Sequence, residues 1–470
     1  MLSYEEDGAV ELRRQLGLFT GIFVIVADMI GTGIFMTTGN VLGMTKSALL
    51  VLVLWGIGGL VATAGALCYA ELATIWPEAG GEYVYLKNIF GPLPAFLTGW
   101  ISLVVGFSAP VAVSSQLLVQ YVNRFLHGIS GASPSATLLD PPGIQKLFAA
   151  CLIAFFGSLH MIGVKKGSSL QNLLTAIKIL LVVSLICFGL SRVDWSMTGR
   201  LVARYESPSV APHLDIPQTG LALLIIMYAY SGWNCTSYLA GEIQQPGKNL
   251  PRALLLGTLL TTILYALLNI LFLISTEGAE IMGKDEVGAI AVSHLFGPGV
   301  GGIVTLGIAV ILLSSVSAQM MVGPRVSYAM AKDKMIFRSL ARVHRRFETP
   351  HVAILAQMVL AIFYVLSGSA LVLVIYLGFA LSLFPLLAVA GLLYIRHARP
   401  EVKGSFRVPC GPLVSLVYIV FTIAMMLAAL VTWTKTSCCA IVVVLMGIPV
   451  FLVWERIARK GHRSGEEVSS

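Results

Sequence analysis

Two hydrophobic segments interrupted by glycine contain residues whose types and spacing suggest chemistry. The first reads Ile-Gly-Thr-Gly-Ile-Phe over residues 30–35, and the second reads Tyr-Ala-Tyr-Ser-Gly-Trp-Asn over residues 228–234. Glycine is less favourable than alanine in a helix by roughly 1 kcal/mol, and lipid cannot satisfy backbone groups that leave the helical hydrogen-bond pattern. We therefore predict that each segment interrupts a helix and presents main-chain donors or acceptors to a ligand.

The two interruptions suit opposite ends of a zwitterion. N–H groups released around Gly31 and Gly33 lie at the start of a half-helix, where the helix dipole is positive and favours a carboxylate. Carbonyl groups released over residues 229–232 lie at the end of a half-helix and favour an ammonium group. Facing each other at the membrane midplane, the interruptions would bind an α-amino acid by both charged ends. The alternative is that these glycines only permit close packing of helices.

Two ionisable residues lie near the middle of apolar runs in the first half of the chain. Lys178 is within the run over residues 175–181, and Asp28 precedes Gly31 by three residues. A charge at the bilayer centre costs at least about 2.5 kcal/mol, so we expect both side chains to face protein or water. We hypothesise that they pair or exchange a proton, since a carboxylate would keep the lysine ionised. The alternative for Lys178 is a side chain that extends to the membrane interface.

Three further acids lie near predicted cytoplasmic ends of spans: Glu71, Glu82 and Glu242. We expect them to be solvated loop residues, and the alternative is contact with Arg325 or Lys248 at a cytoplasmic gate. No histidine or cysteine pair has the spacing of metal ligands, so we expect neither a metal nor a cofactor.

The composition shows which elements must position these residues. The 470 residues are 57% hydrophobic and 11% charged, against about 25% charged in soluble domains, and the mean hydropathy is +0.86. These values exclude a soluble enzyme, a disordered chain and a disulfide-rich secreted module. One membrane span needs roughly 20 apolar residues. The sequence therefore predicts an all-α, multi-pass membrane protein.

The apolar runs predict twelve spans, at residues 17–38, 47–76, 92–126, 145–162, 168–191, 217–241, 253–275, 298–331, 351–367, 369–396, 411–434 and 437–457. With the N-terminus in the cytoplasm, 22 of the 31 Lys and Arg residues lie on the cytoplasmic side, 8 lie on the opposite side, and Lys178 lies within a span. By the positive-inside rule, we expect both termini in the cytoplasm of a protein in the plasma membrane.

The two interruptions fall in spans one and six, five spans apart. An odd number of spans inverts the second copy of a repeat, and paired interrupted helices are typical of the binding site of a secondary transporter. We expect two inverted repeats with two additional helices after them. The predicted parts are a cytoplasmic segment over 1–16, repeats over 17–191 and 217–396, the additional helices over 411–457, and a cytoplasmic tail over 458–470.

Several motifs occur in order along these spans. They are IGTGIF (30–35), CYAEL with PEAGGEY (68–72 and 77–83), YSGWN with GEIQQPGKNLPRA (230–234 and 241–253), GPRVSYAMAKD (323–333) and SFRVP (405–409). Together they resemble the amino acid–polyamine–organocation superfamily, near the L-type amino acid transporters and their bacterial permease relatives. The resemblance implies a LeuT-like fold of five plus five inverted helices, with helices one and six discontinuous, alternating access and an amino acid substrate.

Matched by motif, the resemblance also implies roles for individual residues. The substrate carboxylate would be bound by Ile30, Gly31, Thr32 and Gly33. The substrate amino group would be bound by carbonyl groups of Tyr228, Tyr230 and Ser231 beside Gly232. The Tyr228 ring would be the gate over the site, and Asn234 would be a polar pocket residue or would stabilise the helix.

Lys178 has an implied role as well. In related permeases, a lysine of the fifth span occupies the place where sodium-coupled relatives bind a sodium ion, between spans one and eight. An ammonium group can bind the same carbonyls and hydroxyls, for which span eight offers Ser314, Ser315 and Ser317. We therefore expect sodium-independent transport, by proton symport or by exchange, and not a sodium symporter.

Apart from Asp28, spans three, six, eight and ten show no acid that would select a cationic side chain, so neutral amino acids are favoured. The alternatives are a transporter of cationic amino acids or polyamines with the same fold, or an amino acid sensor that does not transport. An enzyme is not expected, because the spans contain no nucleophile with a base and no paired acids.

The partners that we expect are the amino acid and the lipid bilayer, without nucleic acid. In the animal heteromeric transporters, a heavy chain is attached through a cysteine in the loop after span three. Here that loop, over residues 127–145, has no cysteine. We therefore expect no disulfide-linked heavy chain.

Overall fold

The computed structural model describes residues 12–129, 137–193, 215–284, 287–368 and 370–466. Over these residues the regular structure is helical, with one isolated backbone bridge between Leu16 and Ile243. The helices are α1 (Leu18–Met29), α2 (Thr32–Thr45), α3 (Ala48–Ile75), α4 (Glu82–Phe90), α5 (Pro92–Ile101), α6 (Ser108–Ile129), α7 (Pro142–Met161), α8 (Val164–Arg192), α9 (Ile216–Ala229), α10 (Cys235–Tyr238), α11 (Pro246–Ser275), α12 (Gly278–Ile281), α13 (Val287–Phe296), α14 (Pro298–Val322), α15 (Pro324–Lys332), α16 (His351–Ser367), α17 (Ala370–Ala398), α18 (Gly411–Thr432), α19 (Thr434–Leu445) and α20 (Gly447–Glu466).

Most of these helices are apolar enough to lie in a bilayer. Within the described ranges, nine helical stretches could each cross a membrane, and α1 with α2 makes a tenth, bent by 42° at its break. Three shorter apolar helices, α9, α13 and α16, accompany them. The protein is therefore an all-helical, multi-pass membrane protein.

The first interruption separates α1 from α2. Helix α1 ends at Met29, Ile30 and Gly31 adopt non-helical backbone angles, and α2 begins at Thr32. A Cβ atom on Gly33 would lie 2.8 Å from both Cα and Cβ of Ala229. Glycine at this position therefore lets the two interrupted helices come into contact.

The second interruption separates α9 from the single turn α10. Residues 230–234 form turns between them. Gly232 has φ +100°, which side chains other than glycine rarely adopt, and a Cβ atom there would lie 3.0 Å from Cβ of Asp28. The glycine thus makes both the turn and the room for the Asp28 carboxyl group.

Helix α11 packs against both interruptions. The rings of Trp55, Tyr230 and Tyr265 form a buried cluster with centroids 5.1–5.7 Å apart. The Tyr265 hydroxyl lies within hydrogen-bonding distance of the Met29 carbonyl, where α1 ends, and 2.9 Å from the Ala229 carbonyl, where α9 ends. One side chain of α11 therefore contacts the last residue before each interruption.

Candidate functional site

A cavity lies between the two interruptions. Its wall includes Gly31, Thr32 and Gly33 of the first interruption and Ser231 and Gly232 of the second. Among the other residues that line it are Asp28, Glu82, Phe107, Tyr228, Asn234, Tyr238, Ser315 and Gln319. The cavity is therefore bounded on two sides by α1–α2 and α9–α10, and helices of the surrounding bundle complete its wall.

The first interruption presents N–H donors to the cavity. Thr32 and Gly33 lie in the first turn of α2, where N–H groups have no partner within the helix and the helix dipole is positive. The N–H groups of Ile30 and Gly31 donate instead to the carbonyls of Val26, at 3.0 Å, and Met29, at 2.9 Å. Donors suited to a carboxylate are thus centred on Thr32 and Gly33.

Residues of the second interruption divide between the cavity and the core. Tyr228, Ser231 and Asn234 line the cavity, whereas the Tyr230 side chain is buried and its hydroxyl donates to the Trp55 carbonyl at 3.1 Å. Ile30 is likewise buried. The side chains of Ile30 and Tyr230 are therefore in the core, and any contact of these two residues with the substrate would be made by the main chain.

Lys178 of α8 is fully buried and reaches the end of α1. Its ammonium group donates to the carbonyls of Ala27 and Ile30, each at 2.6 Å, and to the Ser315 hydroxyl at 3.0 Å. The Lys178 side chain therefore bridges α8, the end of α1, and α14, and it does not extend to the membrane interface.

The three serines of α14 have different neighbours. Ser315 contacts Lys178 and the same two carbonyls of α1. Ser314 lies 3.2 Å from the Thr175 hydroxyl, and Ser317 lies 3.0 Å from Nε2 of His160. Only Ser315 of the three predicted serines is thus brought to the lysine.

Asp28 lies at the cavity between the two interruptions. Its Oδ2 atom accepts a hydrogen bond from the Cys235 thiol at 2.6 Å, and its buried Oδ1 atom has no hydrogen-bond partner among the described residues. Over the same residues no ion pair joins Asp28 to Lys178. The two are near each other but do not pair directly.

The expectation that Glu71, Glu82 and Glu242 are solvated is wrong. All three carboxyl groups are buried, at 5%, 6% and 0% exposure. Glu71 lies in the last turns of the long helix α3, whereas Glu82 begins the short helix α4 and Glu242 lies in the turns after α10. Their burial depends on how these segments pack together, which the local sequence does not reveal.

Two of these acids have arginine partners. Glu242 forms a two-pronged ion pair with Arg325 of α15, at 2.7 Å and 3.0 Å. Glu71 pairs with Arg396 at the end of α17 and accepts from the N–H of Val408 at 2.7 Å. The alternative given by the sequence, contact of one of these acids with Arg325, applies to Glu242.

Glu82, at the start of α4, has hydroxyl partners. It accepts from Tyr69 of α3 at 2.5 Å and from Tyr238 of α10 at 2.8 Å. Burial raises the pKa of this carboxyl group above its ordinary value, against the lowering effect of the hydrogen bonds from Tyr69 and Tyr238. Unlike Glu71 and Glu242, Glu82 lines the cavity.

Sequence reasoning missed four residues at the site: Glu82, Cys235, Tyr265 and Gln319. Tyr265 and Gln319 carried a signal, because each is a polar side chain within a long apolar run. Cys235 carried none, since an apolar environment is ordinary for a cysteine. Among the residues that the structure covers, no group of three or more His, Cys, Asp or Glu side chains could hold a metal ion.

A cavity between two interrupted helices in a multi-pass membrane protein is typical of a secondary transporter. Comparison with known proteins gives the family: a family model described as amino acid permease matches residues 16–454. The chain therefore belongs to the amino acid permease family, as the sequence motifs predict.

Individual relatives match over nearly their whole length. The b(0,+)-type amino acid transporter 1 of Homo sapiens is 30% identical over 436 residues, which cover 92% of this chain and 87% of that protein. Large neutral amino acids transporter small subunit 2 of Mus musculus is 28% identical, with 95% and 82% covered. The serine/threonine exchanger SteT of Bacillus subtilis (strain 168) is 28% identical, with 95% and 97% covered. The similarity thus extends over all the elements that form the cavity.

Proposed function

We propose that this protein is a secondary active transporter that moves amino acids across the plasma membrane by alternating access. The observation that carries the proposal is the cavity bounded by both interruptions. On one side are N–H donors of Thr32 and Gly33, and on the other are Tyr228 and Ser231, whose carbonyl groups would be the acceptors. An amino acid has a carboxylate for the first and an ammonium group for the second. The Tyr228 ring would be the gate, and Asn234 a polar contact.

The arrangement of spans that goes with this function is two inverted repeats, over residues 17–191 and 217–396, followed by two helices over 411–457. The bent pair α1–α2 and the broken pair α9–α10 are the corresponding discontinuous helices of the two repeats. Both termini would then be cytoplasmic. This proposal is supported by the spacing of the interruptions and by the distribution of Lys and Arg.

Transport is proposed to be independent of sodium. The Lys178 ammonium group already has three oxygen ligands from α1 and α14, which are the kind of oxygen ligands that a sodium ion would need. An additional cation at this place would be repelled by the ammonium group. Lys178 would therefore hold the end of α1 against α14 through these three contacts.

The substrate is proposed to be a neutral amino acid, moved by proton symport or by exchange. Asp28 would take part in proton coupling, because its carboxyl group faces the cavity with one oxygen unpartnered. The relatives' names include both a large neutral amino acids transporter and a serine/threonine exchanger.

We propose that the chain works without a disulfide-linked heavy chain.

Purified protein in proteoliposomes tests the proposal. Uptake of radiolabelled serine, leucine, lysine and arginine is measured with and without the same amino acid inside, in sodium and in potassium buffers, and with or without an imposed proton gradient. We expect saturable uptake of serine or leucine that is equal in the two buffers. Absence of uptake or exchange for every amino acid would overturn the proposal and would favour a sensor.

A further inference from the structure

Glu82 differs from the other buried acids on the same side of the bundle. The helix order places α4 between α3 and α5, on the side of the N-terminal segment. Glu71 and Glu242, which are also buried there, each form an ion pair with an arginine. Among the described residues, no basic side chain forms an ion pair with Glu82. Glu82 therefore has no neighbouring positive charge that would stabilise its ionised form.

The groups that face Glu82 are hydroxyls and a thiol. Tyr69 of α3 and Tyr238 of α10 donate hydrogen bonds to it. The other groups that interact with its charge are Tyr85 of α4, Thr98 of α5, Cys235 of α10 and Tyr418 of α18. A buried carboxylate without a cation is costly, and the group reduces that cost by binding a proton. The protonation state of Glu82 thus depends on how much water reaches it.

Helix α10 connects Glu82 to the substrate end of the cavity. Within this single turn, Tyr238 donates to Glu82 and Cys235 donates to Asp28. Asn234, next to Cys235, also lines the cavity and donates to the Tyr238 hydroxyl at 3.2 Å. A movement of α10 that follows substrate binding would therefore change the surroundings of the Glu82 carboxyl group.

We propose that Glu82 is a proton-binding residue of the transport cycle, which binds a proton while the cavity is closed to the N-terminal side and releases it there when the cavity opens. The proposal rests on the alternating-access function proposed above. A proton from cavity water forms an O–H bond with the carboxylate, and burial favours this neutral form. Opening hydrates the carboxyl group, favours the charged form, and the O–H bond breaks with transfer of the proton to water.

The test compares two modes of transport by the whole protein in proteoliposomes, with radiolabelled serine and leucine as probes. Glu82→Gln imitates the protonated form and cannot release a proton. We expect this variant to lose accumulation driven by a proton gradient, while exchange of internal for external amino acid persists. The matched control is Glu78→Gln in the same loop, which removes the same charge from an exposed side chain. It should retain both modes.

A second variant leaves the acid in place. Tyr69→Phe removes one hydrogen bond to the carboxylate, which favours the protonated form. The pH at which gradient-driven uptake is half-maximal should then move to a higher value than in the wild type. This shift does not depend on Glu82→Gln being folded.

Each outcome has a distinct meaning. Gradient-driven accumulation by Glu82→Gln equal to that of Glu78→Gln would overturn the role of Glu82, as would a pH profile that Tyr69→Phe leaves unchanged. A wild type that exchanges amino acids without responding to a proton gradient would also overturn it, and the permease function would stand. A wild type that neither takes up nor exchanges any amino acid would overturn the function itself.

Discussion

Gly33 is a residue at which the two interrupted helices are in close contact. Any side chain there would have its Cβ atom 2.8 Å from the Ala229 backbone, which must then move. Such overpacking typically costs about 1–3 kcal/mol. We expect Gly33→Ala to lose most amino acid uptake and to unfold at a lower temperature.

Gly56 of α3 is the control for this substitution, because a Cβ atom at that position would meet no atom within 4 Å. Gly56→Ala should transport like the wild type, and its stability should be unchanged or higher by up to about 1 kcal/mol. Uptake in proteoliposomes and thermal unfolding in detergent measure both effects. Equal uptake by the two variants would show that close contact of the interruptions is not required.

Lys178 satisfies two carbonyl groups that the end of α1 leaves without helical partners. If the side chain is truncated, the carbonyls of Ala27 and Ile30 lose their charged donor in a buried place, and the single proton of the Ser315 hydroxyl can satisfy only one of them at a time. An unsatisfied buried group costs about 1–3 kcal/mol. We therefore expect Lys178→Ala to lower both the unfolding temperature and uptake, whereas Lys166→Ala, at an exposed position of the same helix, should change neither. Wild-type uptake by Lys178→Ala would contradict the role given to this residue.

At the scale of residues, the sequence predicts some members of the site and not others. Lys178 and Gly33 could be predicted, since an ammonium group in lipid needs oxygen partners and paired glycines mark an interruption. Glu82 could not, because its burial depends on how α4 folds back beneath the cavity. For Tyr230, the motif gives the position in the chain, but the direction of the side chain depends on its packing against Trp55.

At the scale of elements, one hydroxyl group of α11 contacts the end of α1 and the end of α9. The Tyr265 hydroxyl is near the carbonyls of both Met29 and Ala229, but its single proton can be donated to only one at a time. We expect Tyr265→Phe to keep the fold, with a loss of about 1 kcal/mol. We also expect a slower transport rate, because α1 and α9 lose their common contact.

Tyr364→Phe is the matched control, because this variant also removes a hydroxyl group that donates to a main-chain carbonyl, that of Val104 between α5 and α6, which belongs to neither interruption. If the effect of Tyr265→Phe is specific, Tyr364→Phe should lose similar stability and keep the transport rate. Uptake rates at saturating serine or leucine make the comparison. Similar transport rates in both variants would mean that the contact of the Tyr265 hydroxyl with the two carbonyls only stabilises the bundle.

At the scale of the whole molecule, span six (residues 217–241) is predicted from the sequence with an interruption, and the structure divides it into α9 and α10. Helix α9 has 14 residues, which give a length of about 21 Å, short of the roughly 30 Å of a bilayer core. The crossing would have to be completed by residues 230–238. Whether α9 and residues 230–238 together cross the membrane determines the number of spans and the orientation of every later span.

Reporter fusions test this crossing directly. Alkaline phosphatase, which is active only after export from the cytoplasm, is inserted after Val193 or after Gln245, on either side of the α9–α10 pair, with the rest of the chain following it. With both termini cytoplasmic and twelve spans, the fusion at Val193 should be active and the fusion at Gln245 inactive, because Lys248 and Arg252 favour the cytoplasmic side. A fluorescent protein at the C-terminus should fluoresce, as it does when it folds in the cytoplasm. Equal phosphatase activity at the two junctions would show that the pair does not cross, and the inverted repeat would then be untenable.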